Sequence, residues 1–248
     1  MFKHAQGQRY SRFLDQLHAT NLFDWYLEVG CRTGRTFAGV RSKTVAVDPY
    51  FLAETNIIGK KPALHVFQTT SDDFFASGVL GKLGIKLSFS FLDGMHLFEF
   101  LLRDFINTEA NSLPDGLIAL HDCCPFSVKM TTRDLNNLPA GPWTGDVWKL
   151  IPILQTWRPD LTLTILDCKP TGLVLVSGLD PKNTVLRDNY DEIVRTFVDA
   201  DIESYGLERF ATSFEFSESR SMAEGGFAPF SAVRLPETAA LSPVLITP

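Results

Sequence analysis

Short apolar runs recur along the first half of the chain, separated by stretches with helical spacing or turn residues. Runs of this length, bounded by glycine, proline, asparagine or aspartate, are typical of strands buried in a parallel sheet. They predict five strands, at about residues 25–29, 44–48, 63–68, 87–92 and 117–120. Because helical patterns occupy much of the sequence between them, we expect a doubly wound α/β sheet.

The second half adds a hairpin to this pattern. The runs 161–166 and 172–176 are joined by Asp-Cys-Lys-Pro-Thr, which is too short for a parallel crossover, so this pair must be antiparallel. The whole pattern therefore predicts a seven-stranded, mostly parallel Rossmann-like sheet with one antiparallel strand. Apolar spacing predicts helices over residues 8–20, after the cap Thr70 or Ser71, and over 97–111, 146–157 and 187–200. Pro152 is expected to break or kink the helix 146–157.

Domain organisation is predicted from where periodicity ends. Residues 1–216 carry the alternating pattern and are expected to form a single domain. From about Ser217 the chain is rich in serine, glycine, proline and alanine and shows no clear period. We therefore expect residues 217–248 to form an extended or flexible tail.

The first strand ends in a glycine turn, Glu28-Val29-Gly30-Cys31-Arg32-Thr33-Gly34. A helix is expected after this turn, and the second strand then ends at Asp48. A strand, a glycine turn, a helix and a strand ending in a carboxylate form a nucleoside-binding half of a doubly wound sheet. Asp48 can accept hydrogen bonds from both ribose hydroxyls. The same turn also occurs as a plain strand–helix connection that binds nothing.

The positions after Gly30 exclude two common ligands. A dinucleotide fingerprint needs glycine where this chain has Arg32 and Arg35. A phosphate loop needs four residues between its glycines and then Lys-Ser or Lys-Thr, whereas three residues intervene here. A pyrophosphate lying on this turn is therefore not expected.

A second group of polar residues follows strands four and five. Asp93-Gly94-Met95-His96 comes after one strand and His121-Asp122 after the next. Neighbouring strands lie about 4.8 Å apart, so Asp93 and Asp122 can converge at the carboxyl edge of the sheet. Ligands bind at that edge in open α/β sheets.

Together these motifs resemble the class I S-adenosylmethionine (SAM)-dependent methyltransferases, in particular the branch of macrocin-type O-methyltransferases and cephalosporin hydroxylase-like sequences. The resemblance covers about residues 22–177, with the order E-x-G-x-x-x-G, D, S-D-D-F-F, L-x-D-G-x-H and H-D-x-x-P. It implies a class I methyltransferase fold and SAM as cofactor. The cofactor-binding residues that it implies are Glu28, Gly30, Arg32 and Gly34 at the turn, Asp48 at the ribose, Ser71 and Asp72 near the adenine, and Asp93 beside the sulfonium.

The resemblance also implies a catalytic group of Asp93, His96, His121 and Asp122. Relatives that use a metal carry two adjacent acids after strand five, and this chain has His121-Asp122 instead. Asp93 and Asp122 are candidate metal ligands, but a histidine brings no negative charge, so Mg²⁺ affinity should fall. Either a divalent cation or a histidine base could activate a hydroxyl acceptor, and the sequence leaves both open.

Composition limits the partners. The 248-residue chain is 45% hydrophobic, carries a formal net charge of −6 and has a pI near 5.4, which argues against a broad basic nucleic-acid surface. The four cysteines show no CxxC spacing, and there is no apolar run of membrane-spanning length. We expect a cytoplasmic protein that needs neither nucleic acid nor membrane, with its oligomeric state, including a homo-oligomer, left open.

The function predicted is O-methylation of a small-molecule or sugar hydroxyl. Two alternatives remain: a module that binds SAM or S-adenosylhomocysteine (SAH) without turnover, and a nucleotide-dependent oxidoreductase on the same fold. The acceptor is not encoded in a motif. Residues 125–146 and the C-terminal segment are expected to shape its pocket, with Trp143 either a substrate lid or a packed side chain.

Overall fold

A seven-stranded sheet forms the centre of the molecule. The computed structural model describes residues 1–239. The strands stand in the order β3-β2-β1-β4-β5-β7-β6, and β7 runs antiparallel to both of its neighbours. The strands are β1 (Trp25–Val29), β2 (Lys43–Val47), β3 (Leu64–Phe67), β4 (Leu87–Leu92), β5 (Ser112–His121), β6 (Thr162–Leu166) and β7 (Leu173–Ser177). The predicted mostly parallel sheet with one reversed strand is confirmed.

Ten α-helices connect or flank these strands in the described part of the chain. The two longest are amphipathic and bury one face against the sheet, as their apolar spacing predicts. The helices are α1 (Tyr10–Thr20), α2 (Ser71–Ala76), α3 (Val79–Lys82), α4 (Phe98–Asn111), α5 (Leu150–Trp157), α6 (Val185–Asp188), α7 (Tyr190–Phe197), α8 (Ile202–Tyr205), α9 (Leu207–Thr212) and α10 (Ser219–Glu224).

The strand register aligns the carboxyl ends of the central strands. Val29 at the end of β1 lies beside Val47 of β2 and Leu92 of β4. Leu92 in turn pairs with Leu120 of β5. The residues that follow these four strands therefore emerge at one edge of the sheet, and the candidate site lies there.

The helix predicted after the glycine turn does not form. Residues 30–42 instead make a series of turns, in which Cys31 accepts a hydrogen bond from the Gly34 amide and Phe37 accepts one from the Val40 amide. Glycines at 34 and 39 disfavour a helix in so short a connection. Burial of Phe37 and Val40 holds the segment against the sheet without one.

Pro152 does not break its helix. A 3₁₀ turn over Val147–Lys149 leads directly into α5, and Pro152 is the third residue of that helix. The amide of a residue in the first turn has no partner within the helix, so a proline there removes no hydrogen bond. The predicted break is therefore wrong, because α5 runs through Pro152 without interruption.

The prediction of an extended or flexible tail is wrong for residues 217–239. Ser217 donates a backbone hydrogen bond to Ile165, and α10 follows at once. Phe227, Phe230 and Val233 are buried in the apolar cluster on one face of the sheet. Burying large apolar side chains stabilises the segment more than its weak local propensity suggests. Residues 240–248 of the predicted tail lie outside the described residues.

Two apolar clusters, one on each face of the sheet, form the core. Within residues 1–239, no helix has both the length and the apolar character to cross a membrane.

Candidate active site

Four polar side chains meet at the carboxyl edge of β4 and β5. His121 Nδ1 lies 3.0 Å from Asp93 Oδ1 and 3.4 Å from Asp122 Oδ2. His96 Nε2 lies 3.4 Å from the same two carboxylate oxygens. The structure thus brings together the catalytic group predicted from the sequence, with each histidine between the two acids.

The backbone sets the direction of Asp122. This residue has a left-handed φ of 60°, which costs free energy for any residue with a Cβ. The Thr171 hydroxyl, just before β7, donates a hydrogen bond of 2.5 Å to Asp122 Oδ1. One oxygen is therefore held by the β6–β7 hairpin, and the other faces the histidines.

His96 is oriented by the loop of residues 125–146. Its Nδ1 lies 2.8 Å from the Trp143 carbonyl oxygen. Because a carbonyl can only accept, Nδ1 must carry the proton, and Nε2 is the nitrogen that faces the carboxylates. The Trp143 ring packs beside the imidazole at 5.0 Å, and its indole N–H donates to Thr132. In this structure Trp143 is a packed and hydrogen-bonded side chain, and Trp148 lies in the core.

The same loop is fastened close to His96. Asp146 Oδ1 accepts a hydrogen bond from the Phe98 amide at the start of α4. Gly145 has a φ of 52°, and a Cβ on it would lie 1.6 Å from the His96 carbonyl oxygen. Glycine is required at this position because the two backbones pass in contact.

The electrostatics of the site are dominated by the carboxylate pair. Burial lowers the pKa of His121, but the charges of Asp93 and Asp122 outweigh it and raise that pKa to about 10. For Asp93 the two effects have the opposite signs. Burial raises its pKa, but the neighbouring His121 lowers the pKa and holds it well below the usual range. In this arrangement His121 carries a proton at neutral pH. Its role is therefore to pair with the charge of Asp93 rather than to accept a proton.

Three side chains offer ligand atoms for a cation. One atom from each of Asp93, His96 and Asp122 lies within 4.8 Å of the others. Two carboxylates and an imidazole suit a divalent cation that accepts oxygen and nitrogen ligands. A hydrogen bond from the second ring nitrogen to a backbone carbonyl, as His96 makes, is the usual way in which a ligating histidine is oriented. The donor set therefore fits a metal, with His96 added to the two predicted ligands.

Asp48 closes the glycine turn. Its carboxylate accepts hydrogen bonds of 2.7 Å from the amides of Arg32 and Tyr50. The Arg32 side chain points outward and is exposed. A Cβ on Gly30 would lie 2.0 Å from the Asp93 carbonyl oxygen. The need for glycine at position 30 therefore comes from the backbone that follows β4.

Glu28 lies beneath the turn. Its side chain is only 1% exposed and accepts a hydrogen bond from the Tyr26 hydroxyl at 2.7 Å. Burial raises its pKa to about 8, against the smaller opposing effect of that hydrogen bond. The structure thus places Glu28 below the proposed ligand and not on an open surface.

The predicted adenine region contains an ion pair and a buried acid. Asp72 forms two 2.7 Å hydrogen bonds with Arg103 of α4, which also contacts Tyr190. Asp104 is 1% exposed, and its Oδ1 has no partner among residues 1–239. Asp104 does not face solvent, because α4 turns it towards Ser71 and the end of β4.

Apolar side chains near this edge are left uncovered. Tyr50 and Leu52, just after Asp48, are 80% and 61% exposed, and Met95, after Asp93, is 36% exposed. Exposed apolar groups of this size beside a carboxylate-lined edge are typical of a ligand-binding surface.

Sequence reasoning missed Tyr10 and Thr171. The Tyr10 ring packs on His121 with centroids 3.9 Å apart, and Thr171 binds Asp122. Both lie far from the acids in sequence, and neither belongs to a motif. Only the packing of α1 and of the hairpin onto the sheet edge brings them to the site.

Comparison with known proteins adds evidence on the fold. No family model matches the sequence, and no curated protein matches it. The cofactor-bound structure of Rv0187 from MTB is similar, with a TM-score of 0.51 and 15% identity over 70% of this chain and 79% of that chain. The sheet order with a reversed β7 agrees with the fold that the sequence motifs imply.

The fold is the mostly parallel, seven-stranded Rossmann-like sheet that the sequence motifs imply.

Two further structures with this fold are less similar. An O-methyltransferase from Bacillus cereus in complex with SAH has a TM-score of 0.47 at 14% identity, over 67% of this chain and 79% of that chain. MycE from the mycinamycin biosynthetic pathway, in complex with Mg and SAH, has a TM-score of 0.46 at 13% identity, over 70% of this chain and 49% of that chain. At identities this low, a likeness to solved structures concerns the fold alone.

Proposed function

We propose that this protein is a SAM-dependent methyltransferase that methylates a hydroxyl group of a small molecule. The observation that carries the proposal is the row of carboxylates at the sheet edge. Asp48, Asp93 and Asp122 follow β2, β4 and β5 at the same end of the sheet. Such an edge repels phosphates and favours a cofactor that carries positive charge and no phosphate.

The residues around the glycine turn fit SAM. Asp48 lies against the turn and would accept hydrogen bonds from the ribose hydroxyls while keeping its amide partners, because each carboxylate oxygen can accept more than one hydrogen bond. Ser71 and Asp72 would border the adenine. The exposed side chains of Tyr50 and Leu52 would be available to cover it. Asp93 would lie near the sulfonium. Glu28 and Gly30 would support the turn from beneath, and Arg32 and Gly34 would contribute backbone.

When bound, SAM supplies an electrophilic methyl group, and the chain has to position the acceptor oxygen in line with it and manage its proton. Asp93, His96 and Asp122 would hold a divalent cation, whose charge would lower the pKa of the acceptor hydroxyl. His121, between the two carboxylates, would offset their charge. Without a cation, the Nε2 nitrogen of His96 is the group best oriented to take the proton.

The acceptor is proposed to be a small molecule, because the site lies at a sheet edge in a chain of net charge −6. A cytoplasmic location is proposed from the four cysteines, which are buried as free thiols.

Mass spectrometry of the ligand that co-purifies with the natively isolated protein tests this proposal. We expect SAM or SAH, released on denaturation, at close to one molecule per chain. A nicotinamide or flavin nucleotide in its place would support the oxidoreductase alternative. SAH retention without methyl transfer to any hydroxylated acceptor would support a binding module.

A further inference from the structure

A cavity of about 310 Å³ opens beside the candidate active site. It is lined by His4, Ala5, Arg9, Phe126, Lys169 and Pro170. These residues come from the N-terminal segment, the loop after β5 and the β6–β7 hairpin. A volume of this size accommodates a small organic molecule.

Two walls of the cavity continue directly into residues that contact the catalytic group. Arg9 precedes Tyr10, whose ring packs on His121. Pro170 precedes Thr171, whose hydroxyl binds Asp122. Consecutive Cα atoms lie about 3.8 Å apart, so the cavity is one residue removed from the site on two of its walls.

Backbone hydrogen bonds fix these walls to one another. The Tyr10 amide donates to the Lys169 carbonyl at 3.1 Å, and the Lys169 amide donates to the Gln8 carbonyl at 2.8 Å. The Cys124 amide, two residues before Phe126, donates to the Thr171 carbonyl at 2.9 Å. The cavity is therefore part of the folded site rather than a gap between loose segments.

The charge of the cavity is opposite to that of the protein. Arg9 and Lys169 bring two positive charges, and none of the six lining residues is acidic. Arg9 and Lys169 are exposed, and within residues 1–239 neither forms a salt bridge or a side-chain hydrogen bond. Two uncompensated cations facing a cavity, in a chain of net charge −6, favour an anionic ligand.

The remaining wall is apolar and aromatic. Phe126 packs against the His4 ring with centroids 6.0 Å apart. A planar ring can lie against this pair while a charged group on it reaches the cations.

We propose that this cavity is the acceptor subsite and that the acceptor is a hydroxylated carboxylic acid, or another small anion of that size. This rests on the proposed methyltransferase function. The anionic group of the acceptor binds Arg9 and Lys169, its flat or apolar part lies against Phe126, and its hydroxyl points to the carboxylate–histidine group. Arg9 and Lys169 thus determine specificity and take no part in methyl transfer.

The test is a binding experiment with paired probes on the SAH-loaded protein. Calorimetric titration compares the affinity of each hydroxybenzoate in a small panel with that of the matching hydroxybenzamide. The titrations are made on the wild type, on the Arg9→Gln/Lys169→Gln double variant and on the control variant Lys86→Gln. Lys86 is an exposed cation at the opposite end of β4. In the wild type and in the control, we expect at least one acid to bind about tenfold more tightly than its amide. In the double variant we expect this preference to fall to about twofold or less.

The outcomes separate this proposal from the function. SAH should bind equally to all three proteins. If SAH binds but no acid is preferred over its amide, or if the double variant keeps the preference, the anionic subsite is overturned while the methyltransferase proposal stands. If the acids keep the expected preference on protein to which SAH does not bind at all, the proposed function fails, and with it the assignment of the cavity as an acceptor subsite.

Discussion

At the scale of single residues, the clearest predictions concern side chains whose hydrogen-bond partners fix their orientation or whose burial changes their pKa. His96 is one of them, because a backbone carbonyl fixes its tautomer and turns Nε2 towards two carboxylates. If Asp93, His96 and Asp122 hold a cation, His96→Ala should lower Mn²⁺ affinity about 10- to 100-fold while SAH still binds. Calorimetric titration of each ligand measures this directly.

Chelation gives an independent check on the same three residues. Treatment with EDTA should abolish methyl transfer, and Mn²⁺ or Mg²⁺ should restore it. Unchanged turnover in EDTA, together with a loss of turnover in His96→Ala, would contradict a cation and show that His96 acts as the base. Wild-type turnover in an Asp93→Asn/Asp122→Asn variant would exclude a catalytic role for this edge altogether.

Asp104 makes stability depend on pH. Burial raises its pKa from 3.8 to about 7, and a hydrogen bond with Ser71 opposes this only in part. The folded state therefore holds this proton more tightly than the unfolded chain does. The free energy of unfolding should fall as pH rises from about 4 to about 7 and change little above that, by up to about 4 kcal/mol for this group.

Asp104→Asn removes that titration and keeps the shape of the side chain. We expect the variant to lose less stability than the wild type between about pH 5 and about pH 8, and to be the more stable protein at the upper end, as measured by urea unfolding. Asp199→Asn, a change at an exposed acid, should keep the wild-type pH dependence. Equal slopes in all three proteins would show that Asp104 is ionised in the folded state near neutrality.

At the scale of elements, the site depends on the contact between the loop of residues 125–146 and the segment that carries His96. Gly145 approaches the His96 backbone so closely that a Cβ would overlap the carbonyl oxygen. Gly145→Ala should displace the segment that carries His96 and should lower methyl transfer at least about tenfold, with a modest loss of stability. Gly141→Ala, in the same loop with open space around it, is the matched control. Full activity in Gly145→Ala would mean that the fastening is not needed.

The elements that the sequence predicted well are those determined by their own residues. The run Leu87–Leu92 is buried along its whole length and is bounded by polar residues, so its limits were predictable from the pattern alone. The convergence of Asp93 and Asp122 followed from two adjacent parallel strands. The helix in segment 30–42 was predicted incorrectly because it was expected from the strand–turn–helix–strand motif, whereas turns bury the apolar side chains Phe37 and Val40.

At the scale of the whole molecule, the C-terminal segment belongs to the core. Phe230 is fully buried, and its ring packs against Phe89 at 5.1 Å and Phe23 at 5.9 Å. The local sequence is rich in small and polar residues, and nothing in it indicates that these aromatics find partners beside β1 and on β4. Such long-range packing is the part of a fold that local patterns do not predict.

Phe230→Ala should therefore destabilise the protein by about 3–5 kcal/mol, and removal of residues 226–248 should do so more strongly. Chemical denaturation measures both. Tyr50→Ala, which changes an aromatic side chain that is 80% exposed, should have little effect on stability. A truncated protein with wild-type stability would show that the buried aromatics contribute nothing to the fold.

The Tyr10 and Thr171 contacts show the same limit at the site. The acids and histidines were predictable from strand ends, whereas the groups that orient them come from α1 and from the hairpin. The cavity that we propose for the acceptor is built largely from the segments next to those two residues, which is why no motif in the sequence indicated it.

Calorimetric titration with SAH of the protein freed of its co-purified ligand, with NADH as the competing hypothesis, tests the central claim most directly. We expect one SAH per chain, no binding of NADH, and a loss of about 1.5–3 kcal/mol of SAH binding free energy in Asp48→Ala, because charge-assisted hydrogen bonds to the ribose are lost. NADH binding in place of SAH, or equal SAH affinity in Asp48→Ala, would contradict a SAM site at this sheet edge.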